Sequence, residues 1–361
     1  MKRLLLVAGL LAAGACGDDH EPERDATATT TTGLGAVTPT SRPDRAQNGD
    51  APVELEVTDV VTGLDTVWSL AFDEAGKLWF TQRNGRLQQV DGPGRAIPGV
   101  QEQGEGGLMG LEIDDEGRFY VMFTSSSDNR IVRLDDLQAD PEVLVDGIRK
   151  AGIHNGGRLR FGPDGTLFAG TGDAGNTSLP PDDDSRNGKV LAIDVDGAGG
   201  AGGRPRATVF STGHRNPQGL CFSADGRFLS TEHGPDRGDE VNVVEQGEDY
   251  GWPDSSGTGI SNYTPTIAPA GCVVYEADAI PQWKGSLLFT TLKGNDLRRL
   301  TFAADGTVAD EEVLYDGEFG RLRDVAVGPD GAVYLATSNK DTRGNPRSGD
   351  DRIVRIGPAT P

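Results

Sequence analysis

One short pattern recurs along the chain from residue 51 onward. Each copy has an apolar strand of alternating residues, a turn that contains glycine, and a second apolar or aromatic strand, as in residues 69–81. Glycine allows the positive φ that a tight turn requires, so each copy predicts a β-hairpin. The turn glycines are Gly76, Gly117, Gly165, Gly226, Gly285 and Gly331. They lie roughly 40 to 60 residues apart, which suits four-stranded propeller blades with their loops.

Six such copies predict an all-β protein that folds as a six-bladed β-propeller. A third strand follows four of the hairpins, at residues 86–90, 130–134, 189–193 and 352–356. Residues 53–57 alternate like a strand without a nearby partner, so we expect them to complete the last blade and close the ring. The copy at residues 283–290 lacks the pattern of a first strand. A β-sandwich is the alternative, but it does not explain the regular repetition.

Composition and charge narrow the class of partner. The 361 residues include 52 glycines and 21 prolines, which favours many turns over long helices. The formal net charge is −22, whereas a surface that binds nucleic acid has to be basic, so nucleic acid is excluded as a partner. An acidic surface also suits calcium, although solubility alone would explain the charge equally well.

The first 50 residues differ from the rest of the chain. A basic start precedes an apolar run at residues 4–11 and small residues before Cys16. This arrangement resembles a bacterial lipoprotein signal over residues 1–16, in which Cys16 is lipidated, with ordinary secretion as the alternative. Residues 17–50 are acidic and threonine-rich without apolar periodicity, which predicts a disordered tether before a propeller domain at residues 51–361.

The predicted location follows from this signal. We expect an exported, membrane-anchored lipoprotein that faces the periplasm or the cell exterior. In an oxidising compartment Cys221 and Cys272 could form a disulfide or remain two buried thiols, and the sequence leaves both open.

Polar residues interrupt the repeat in the loops. Loops at one end of a propeller converge on its axis, so a site there draws residues from several blades. His154 precedes the third hairpin and Asp173 follows it, and a histidine oriented by a carboxylate is a common general base. Pairs of this kind are also frequent on surfaces.

Further loops carry cations and oxygen donors. Lys293, Arg321 and Arg323 predict a ligand with several carboxylates, although each could instead pair with one of the many acidic residues. Residues 232–253 offer carbonyl and carboxylate oxygens, which favour calcium over zinc.

These motifs together resemble the soluble, pyrroloquinoline quinone (PQQ)-dependent sugar dehydrogenases. This is the glucose/sorbosone dehydrogenase family of six-bladed propellers, and the chain is most similar to its aldose sugar dehydrogenase branch. The similarity covers about residues 60–356 in family order. The matching segments are residues 104–108, 154–161, 172–173, 215–219, 232–235 with 239–240, 250–253, 292–293 and 321–324.

The resemblance implies an activity and catalytic roles. Aldoses would be oxidised at the anomeric carbon to lactones, with hydride transfer to PQQ. His154 would take the proton of the anomeric hydroxyl, and Asp173 would orient it. Arg215 would stabilise charge on the reduced quinone oxygen.

The resemblance also implies binding residues. Asn216 and Gln218 would contact cofactor and substrate, and the cofactor's carboxylates would be bound by Lys293, Arg321 and Arg323. The remaining implied ligands belong to two calcium ions: the carbonyls of Gly234 and Pro235 for a catalytic ion, and Glu240 with the Tyr250 carbonyl for a structural one.

Glu105 is a departure from the family pattern, which usually has glutamine at this position. If Glu105 faces the cofactor, its charge opposes the carboxylates unless calcium or an arginine offsets it. The compact loops predict a monomer with broad aldose specificity, and the electron acceptor stays open. A calcium-dependent, lactonase-type hydrolase and a catalytically inactive binding propeller are the alternative functions.

Overall fold

The computed structural model describes residues 52–197, 205–255 and 259–359. Within these ranges, strands form six antiparallel four-stranded sheets, and one 3-10 turn lies at Pro281–Trp283. The first three sheets comprise β2 (Val67–Phe72), β3 (Leu78–Gln82), β4 (Arg86–Gln89) and β5 (Gly94–Ala96); β6 (Leu108–Ile113), β7 (Phe119–Thr124), β8 (Asn129–Leu134) and β9 (Glu142–Ile148); and β10 (Leu159–Phe161), β11 (Leu167–Thr171), β12 (Lys189–Asp194) and β13 (Arg206–Ser211).

The other three sheets follow the same order along the chain. They comprise β14 (Pro217–Phe222), β15 (Phe228–Glu232), β16 (Asp239–Val243) and β17 (Ser261–Tyr263); β18 (Pro269–Tyr275), β19 (Ser286–Thr291), β20 (Leu297–Phe302) and β21 (Val308–Leu314); and β22 (Leu322–Val327), β23 (Val333–Thr337), β24 (Ile353–Pro358) and β1 (Leu55–Val61).

The six sheets are the blades of a closed propeller. The first strands of successive blades contact each other in the order β2, β6, β10, β14, β18, β22 and back to β2, so they line the axis. The six-bladed, all-β prediction is therefore confirmed. The predicted turn glycines all have positive φ, between 73° and 88°.

The last blade is closed by the start of the domain. β1 pairs antiparallel with β24, from Leu55 opposite Pro358 to Val61 opposite Ile353. The sheet of blade six therefore contains strands from both ends of the propeller, as the alternation at residues 53–57 predicted. This closure also covers the outer edge of β24, which would otherwise leave its backbone groups unpaired.

Apolar packing between neighbouring blades forms the core. Six buried clusters alternate with the blades, one in each interface around the ring. Aromatic pairs fix several of these interfaces: Trp79 and Phe119 pack edge to face at 4.8 Å between blades one and two. Because each apolar face packs against the next blade, the outer strands and the loops are left free to carry polar residues.

The fifth blade corrects one interpretation of the sequence. Residues 283–290 lacked a recognisable first strand, yet β18 (Pro269–Tyr275) fills that position and pairs with β19. Nearly all of β18 is buried, on both of its faces. Ten residues separate β18 from β19, including the 3-10 turn, whereas five residues separate the first two strands of every other blade, so the hairpin pattern does not extend to β18.

Cys221 on β14 and Cys272 on β18 are both buried free thiols.

The predicted signal, the lipidated Cys16 and the tether lie outside the described residues. In the part of the chain that the structure describes, no helix is long and apolar enough to cross a membrane.

Candidate active site

A cleft opens at the end of the ring where the first strands begin and the second strands end. The lining comes from all six blades and consists of Trp68, Arg83, Glu105, Asn155, Gly156, Asn216, Gln218, His233, Leu292, Arg321, Arg323, Asp341, Thr342 and Arg343. The convergence of loops at one end, expected from the repeat, therefore produces one shared cleft.

His154 and Asp173 meet next to this cleft. Nδ1 of His154 lies 2.7 Å from Oδ1 of Asp173, and the Asp173 side chain is buried. Asp173 also accepts hydrogen bonds from the Gly175 N–H (2.7 Å) and the Trp252 indole N–H (2.9 Å). Because Nδ1 is engaged, the ring presents Nε2 as the nitrogen that can take up a proton.

The ionisation of Asp173 follows from these contacts. Burial raises the pKa of its carboxyl, but the hydrogen bond and the attraction from His154, with the bonds from Gly175 and Trp252, outweigh burial and leave the pKa below its usual range. The group is therefore a carboxylate at neutral pH, and it orients the imidazole as an acceptor.

Arg215 packs against the indole ring of Trp252. Its guanidinium carbon is 5.3 Å from the centre of the indole ring, and NH1 donates to the His233 carbonyl at 3.1 Å. Burial lowers the pKa of Arg215, against the opposing attraction of Asp173 and Glu232. A half-buried cation of blade four thus lies near the His154–Asp173 pair, and Trp252 contacts both.

Asn216 and Gln218 connect three blades. The side-chain oxygen of Asn216 accepts the Gly156 N–H (3.1 Å), and Gln218 Nε2 donates to the Gly156 carbonyl (3.1 Å). Gln218 Oε1 accepts a hydrogen bond of 2.8 Å from Arg323 NH1. These amides hold the loop that carries His154 in place relative to blades four and six.

Arg321 and Arg323 share a single counter-ion. Asp341 Oδ2 lies 2.7 Å from NH2 of Arg321 and 3.7 Å from NH2 of Arg323. Burial lowers the pKa of Arg323 to about 10 despite Asp341, and repulsion from Arg321 and Arg83 adds to the shift. Pairing with acidic residues therefore occurs, as the alternative interpretation expected, but one carboxylate serves two guanidinium groups.

Lys293 lies beside the cleft and not in its lining. It is exposed and borders a neighbouring cavity that shares Leu292, Arg321 and Arg343 with the cleft. The structure thus brings all three predicted cations to one end of the ring, with Lys293 at the greater exposure.

Glu105 faces the cleft and has an arginine partner. Its Oε1 lies 2.6 Å from NH1 of Arg343. Its Oε2 accepts the backbone N–H of His154 at 2.9 Å. Of the two partners considered for its charge, the structure provides the arginine.

The predicted metal ligands border a second cavity. Gly234, Glu240 and Tyr250 line this cavity, while Pro235 is exposed and does not line it. The described residues contain no group of three or more His, Cys, Asp or Glu side chains that could hold a metal ion. A cation here would therefore need backbone carbonyls in addition to carboxylates such as Glu240, and the assignment stays a prediction.

Comparison with known proteins identifies the family. The sequence profile described as Glucose / Sorbosone dehydrogenase matches residues 64–345. The chain belongs to this family. The aldose sugar dehydrogenase of Escherichia coli is 29% identical over 80% of this chain and 91% of the relative. The quinoprotein glucose dehydrogenase B of Acinetobacter calcoaceticus is 24% identical over 82% of this chain and 87% of the relative.

A solved structure extends the similarity to the fold. The PQQ-bound aldose sugar dehydrogenase of Streptomyces coelicolor has a TM-score of 0.74 and 36% sequence identity, over 85% of this chain and 99% of that chain. The predicted relationship to PQQ-dependent sugar dehydrogenases is confirmed, and membership of the glucose/sorbosone dehydrogenase family makes the protein an oxidoreductase by class.

In this family member, several site residues escaped the sequence-based assignment, among them Trp252, His233 and Arg343. Trp252 lay in a recognised motif but received no role, although it contacts both Asp173 and Arg215. His233 lay in the matching segment 232–235 without a role, yet it lines the cleft. Arg343 had no signal in the sequence, because it is one of many loop arginines until the ring brings it to Glu105.

The two remaining histidines of blade four differ in their surroundings. His214 is fully buried, with Nδ1 2.8 Å from Glu232 Oε2 and Nε2 2.8 Å from Ser211 Oγ, so both nitrogens are satisfied. For His233, burial and the charges of Arg323 and Arg215 hold the pKa well below its usual value. Neither environment suits a base exposed to substrate.

Proposed function

We propose that the protein is a PQQ-dependent oxidoreductase that oxidises aldoses at the anomeric carbon to lactones. One observation carries this proposal: the His154–Asp173 pair borders a cleft whose other wall is rich in guanidinium groups. A base beside a cationic cleft suits proton removal from a sugar next to a ligand that carries several carboxylates. The PQQ-bound relative of Streptomyces coelicolor supports the choice of cofactor.

The cleft contains hydrogen-bond donors that such a ligand could satisfy. Nε2 of His233 and Nε of Arg323 are buried, and neither finds a hydrogen-bond partner among the residues that the structure describes. Asn216 Nδ2 lies 3.4 Å from Nδ1 of His233, which makes Nδ1 the acceptor and leaves Nε2 as a proton donor. Unpaired buried donors are costly, and a planar ligand with carboxylate and carbonyl oxygens would satisfy them. The residues present therefore fit PQQ.

Each residue of the site would have a separate role in binding or in proton transfer. Nε2 of His154 takes the proton of the anomeric hydroxyl, and the ionised Asp173 stabilises the imidazolium that results. Arg321 and Arg323 bind carboxylates, with Lys293 at the outer side, while Asn216 and Gln218 provide neutral hydrogen bonds. When bound, PQQ supplies the two-electron acceptor for the hydride of the anomeric carbon. Arg215 holds positive charge beside this region.

Calcium belongs to the same proposal. Glu240 and the Tyr250 carbonyl offer hard oxygen ligands at the second cavity, and the Gly234 and Pro235 carbonyls would serve a second ion. Oxygen donors of this kind match calcium in chemistry, and a Lewis acid near the cofactor would polarise it. The test for calcium is whether a chelator abolishes cofactor binding and whether calcium restores it.

We also propose a location, an oligomeric state and a substrate class for the protein. The signal at residues 1–16 would export the protein and anchor it through Cys16, as a monomer. Aldoses would be the substrates, and the electron acceptor is open.

The competing functions fit the cleft less well. A calcium-dependent lactonase would place carboxylates and amides around the axis and would not need a cluster of arginines. An inactive binding propeller would have no use for a histidine oriented by a buried carboxylate. Both observations favour the oxidoreductase.

The deciding experiment adds PQQ and calcium to the purified protein and follows reduction of an artificial dye with a panel of aldoses. We expect aldose-dependent reduction that requires PQQ. The matched controls are the same protein without PQQ and a non-reducing sugar alcohol in place of the aldose. If no aldose supports reduction and no PQQ absorbance stays with the protein after desalting, the proposal is wrong.

A further inference from the structure

Glu105 joins loops from three blades through one carboxylate. It lies before β6 of blade two, and its Oε2 accepts the backbone N–H of His154, in the loop before β10 of blade three, at 2.9 Å. Its Oε1 pairs at 2.6 Å with Arg343, in the loop between β23 and β24 of blade six. The side chain therefore touches the main chain of the proposed base on one side and a cation on the other.

The backbone of His154 requires such support. Its φ is 53°, in the left-handed region that residues other than glycine seldom adopt. The His154 carbonyl accepts the Ala174 N–H at 3.1 Å, in the loop that also carries Asp173. With Glu105 bound to the N–H, both backbone polar groups of His154 are hydrogen-bonded, and the imidazole keeps its direction toward Asp173.

The Glu105–Arg343 pair also affects the net charge of the cleft. Glu105 lines the same cleft as Arg321 and Arg323, which are proposed to bind carboxylates. An unpaired carboxylate there would repel a ligand with several carboxylates. The side chain of Arg343 is 62% exposed and that of Glu105 29% exposed, so the neutralising partner comes from the solvent side of the cleft.

We propose that Glu105 and Arg343 form a positioning pair, in which Glu105 holds the backbone of His154 while Arg343 cancels the charge that Glu105 brings into the cleft. The role of Arg343 in cancelling charge, here called the charge half, rests on the proposed function, because it concerns cofactor binding. The role of Glu105 in holding His154, here called the structural half, is a property of the protein alone and can be measured without cofactor.

The structural half is tested by hydrogen exchange in the protein without PQQ. Glu105→Ala removes the acceptor of the His154 N–H, so exchange at this amide should accelerate. Glu105→Gln keeps a side-chain oxygen at the same position and should restore protection. Glu102→Gln is the matched control, because Glu102 also pairs with an arginine but does not contact His154. Equal exchange in Glu105→Ala and wild type would overturn the positioning role.

The charge half is tested by titrating the protein with PQQ and following tryptophan fluorescence. Arg343→Gln leaves the Glu105 carboxylate unpaired and should weaken PQQ binding by at least about tenfold. Adding Glu105→Gln to this variant removes the charge and should return the affinity to near the wild-type value. Arg133→Gln removes a cation of blade two that pairs with Glu142 and does not line the cleft, and it controls for net charge.

Turnover separates positioning from binding. At saturating PQQ, Glu105→Ala should lower kcat by on the order of tenfold or more, with rescue by Glu105→Gln, since a small displacement of a base is costly. Equal loss in both variants would overturn the role of the hydrogen bond. A wild-type protein that binds no PQQ would overturn the proposed function and the charge half together, while hydrogen exchange decides the structural half by itself.

Discussion

The indole N–H of Trp252 donates a hydrogen bond of 2.9 Å to Oδ2 of Asp173, the oxygen that His154 leaves free. The carboxylate of Asp173 is thus held from both sides, by a ring on blade three and a ring on blade four. Since Arg215 stacks on the same indole, Trp252 connects the proposed base to the proposed cationic partner. The orientation of His154 therefore depends on a residue in another blade.

Replacing His154 by alanine should abolish turnover and leave PQQ binding largely intact. The imidazole is the proposed base, and its loss removes a contribution of about 10²- to 10⁴-fold in rate, which is typical of general-base catalysis. Steady-state dye reduction and a PQQ titration measure the two properties separately. Normal turnover in this variant would show that another group takes the proton.

Asp173→Asn should lower kcat by about 10⁴-fold, because an amide cannot hold the imidazole in the tautomer that accepts a proton. Trp252→Phe offers a milder comparison, since it keeps the ring beside Arg215 and removes only the indole donor to Asp173. We expect a much smaller loss for the phenylalanine variant. The order of these two losses, measured at saturating aldose and PQQ, is the critical result, and the reverse order would contradict the orienting role of Asp173.

Arg323→Gln should weaken PQQ binding by about 10- to 100-fold, since a buried charge-assisted hydrogen bond contributes about 1.5 to 3 kcal/mol. Gln218 would lose its partner at the same time, so the variant Gln218→Ala separates the loss of the amide from the loss of the charge. Arg355→Gln is the surface control, because Arg355 pairs with Asp330 on the outside of blade six. Fluorescence titration measures each affinity, and unchanged affinity in Arg323→Gln would remove it from the cofactor site.

The free energy of unfolding should decrease as the pH falls, and protonation of Asp341 should account for part of this decrease. Burial raises the pKa of this carboxyl, but the charges of Arg323 and Arg321 and the hydrogen bond from Arg321 leave it lowered in the folded protein. A lowered folded-state pKa adds stability above the unfolded-state pKa of about 4, and this stability is lost as the pH falls toward the folded-state pKa.

The measurement is the urea midpoint of the protein between pH 7 and pH 3. Asp341→Asn should be less stable than wild type at pH 7 and should lose less stability on acidification. Comparing the two proteins removes the contributions of all other carboxyl groups. Parallel curves for wild type and variant would show that Asp341 has no lowered pKa.

Much of the fold could be predicted because its determinants are local. A hairpin depends on alternating residues and on a glycine that accepts positive φ, so five blades were recognisable from their hairpins. β18 escaped because a connection of ten residues, twice as long as in the other blades, separates it from β19. The candidate base was recognisable for a related reason, since His154 and Asp173 flank one hairpin and a short segment brings them together.

The sequence by itself determined the number of blades, the strand that closes the ring and the chemical types gathered at one end. Only the tertiary structure decided which of these residues touch. Trp252 meets Asp173 and Arg343 meets Glu105 across large separations along the chain. Such contacts depend on the relative rotation and spacing of the blades, which arise from packing across all six interfaces and leave no local pattern in the sequence.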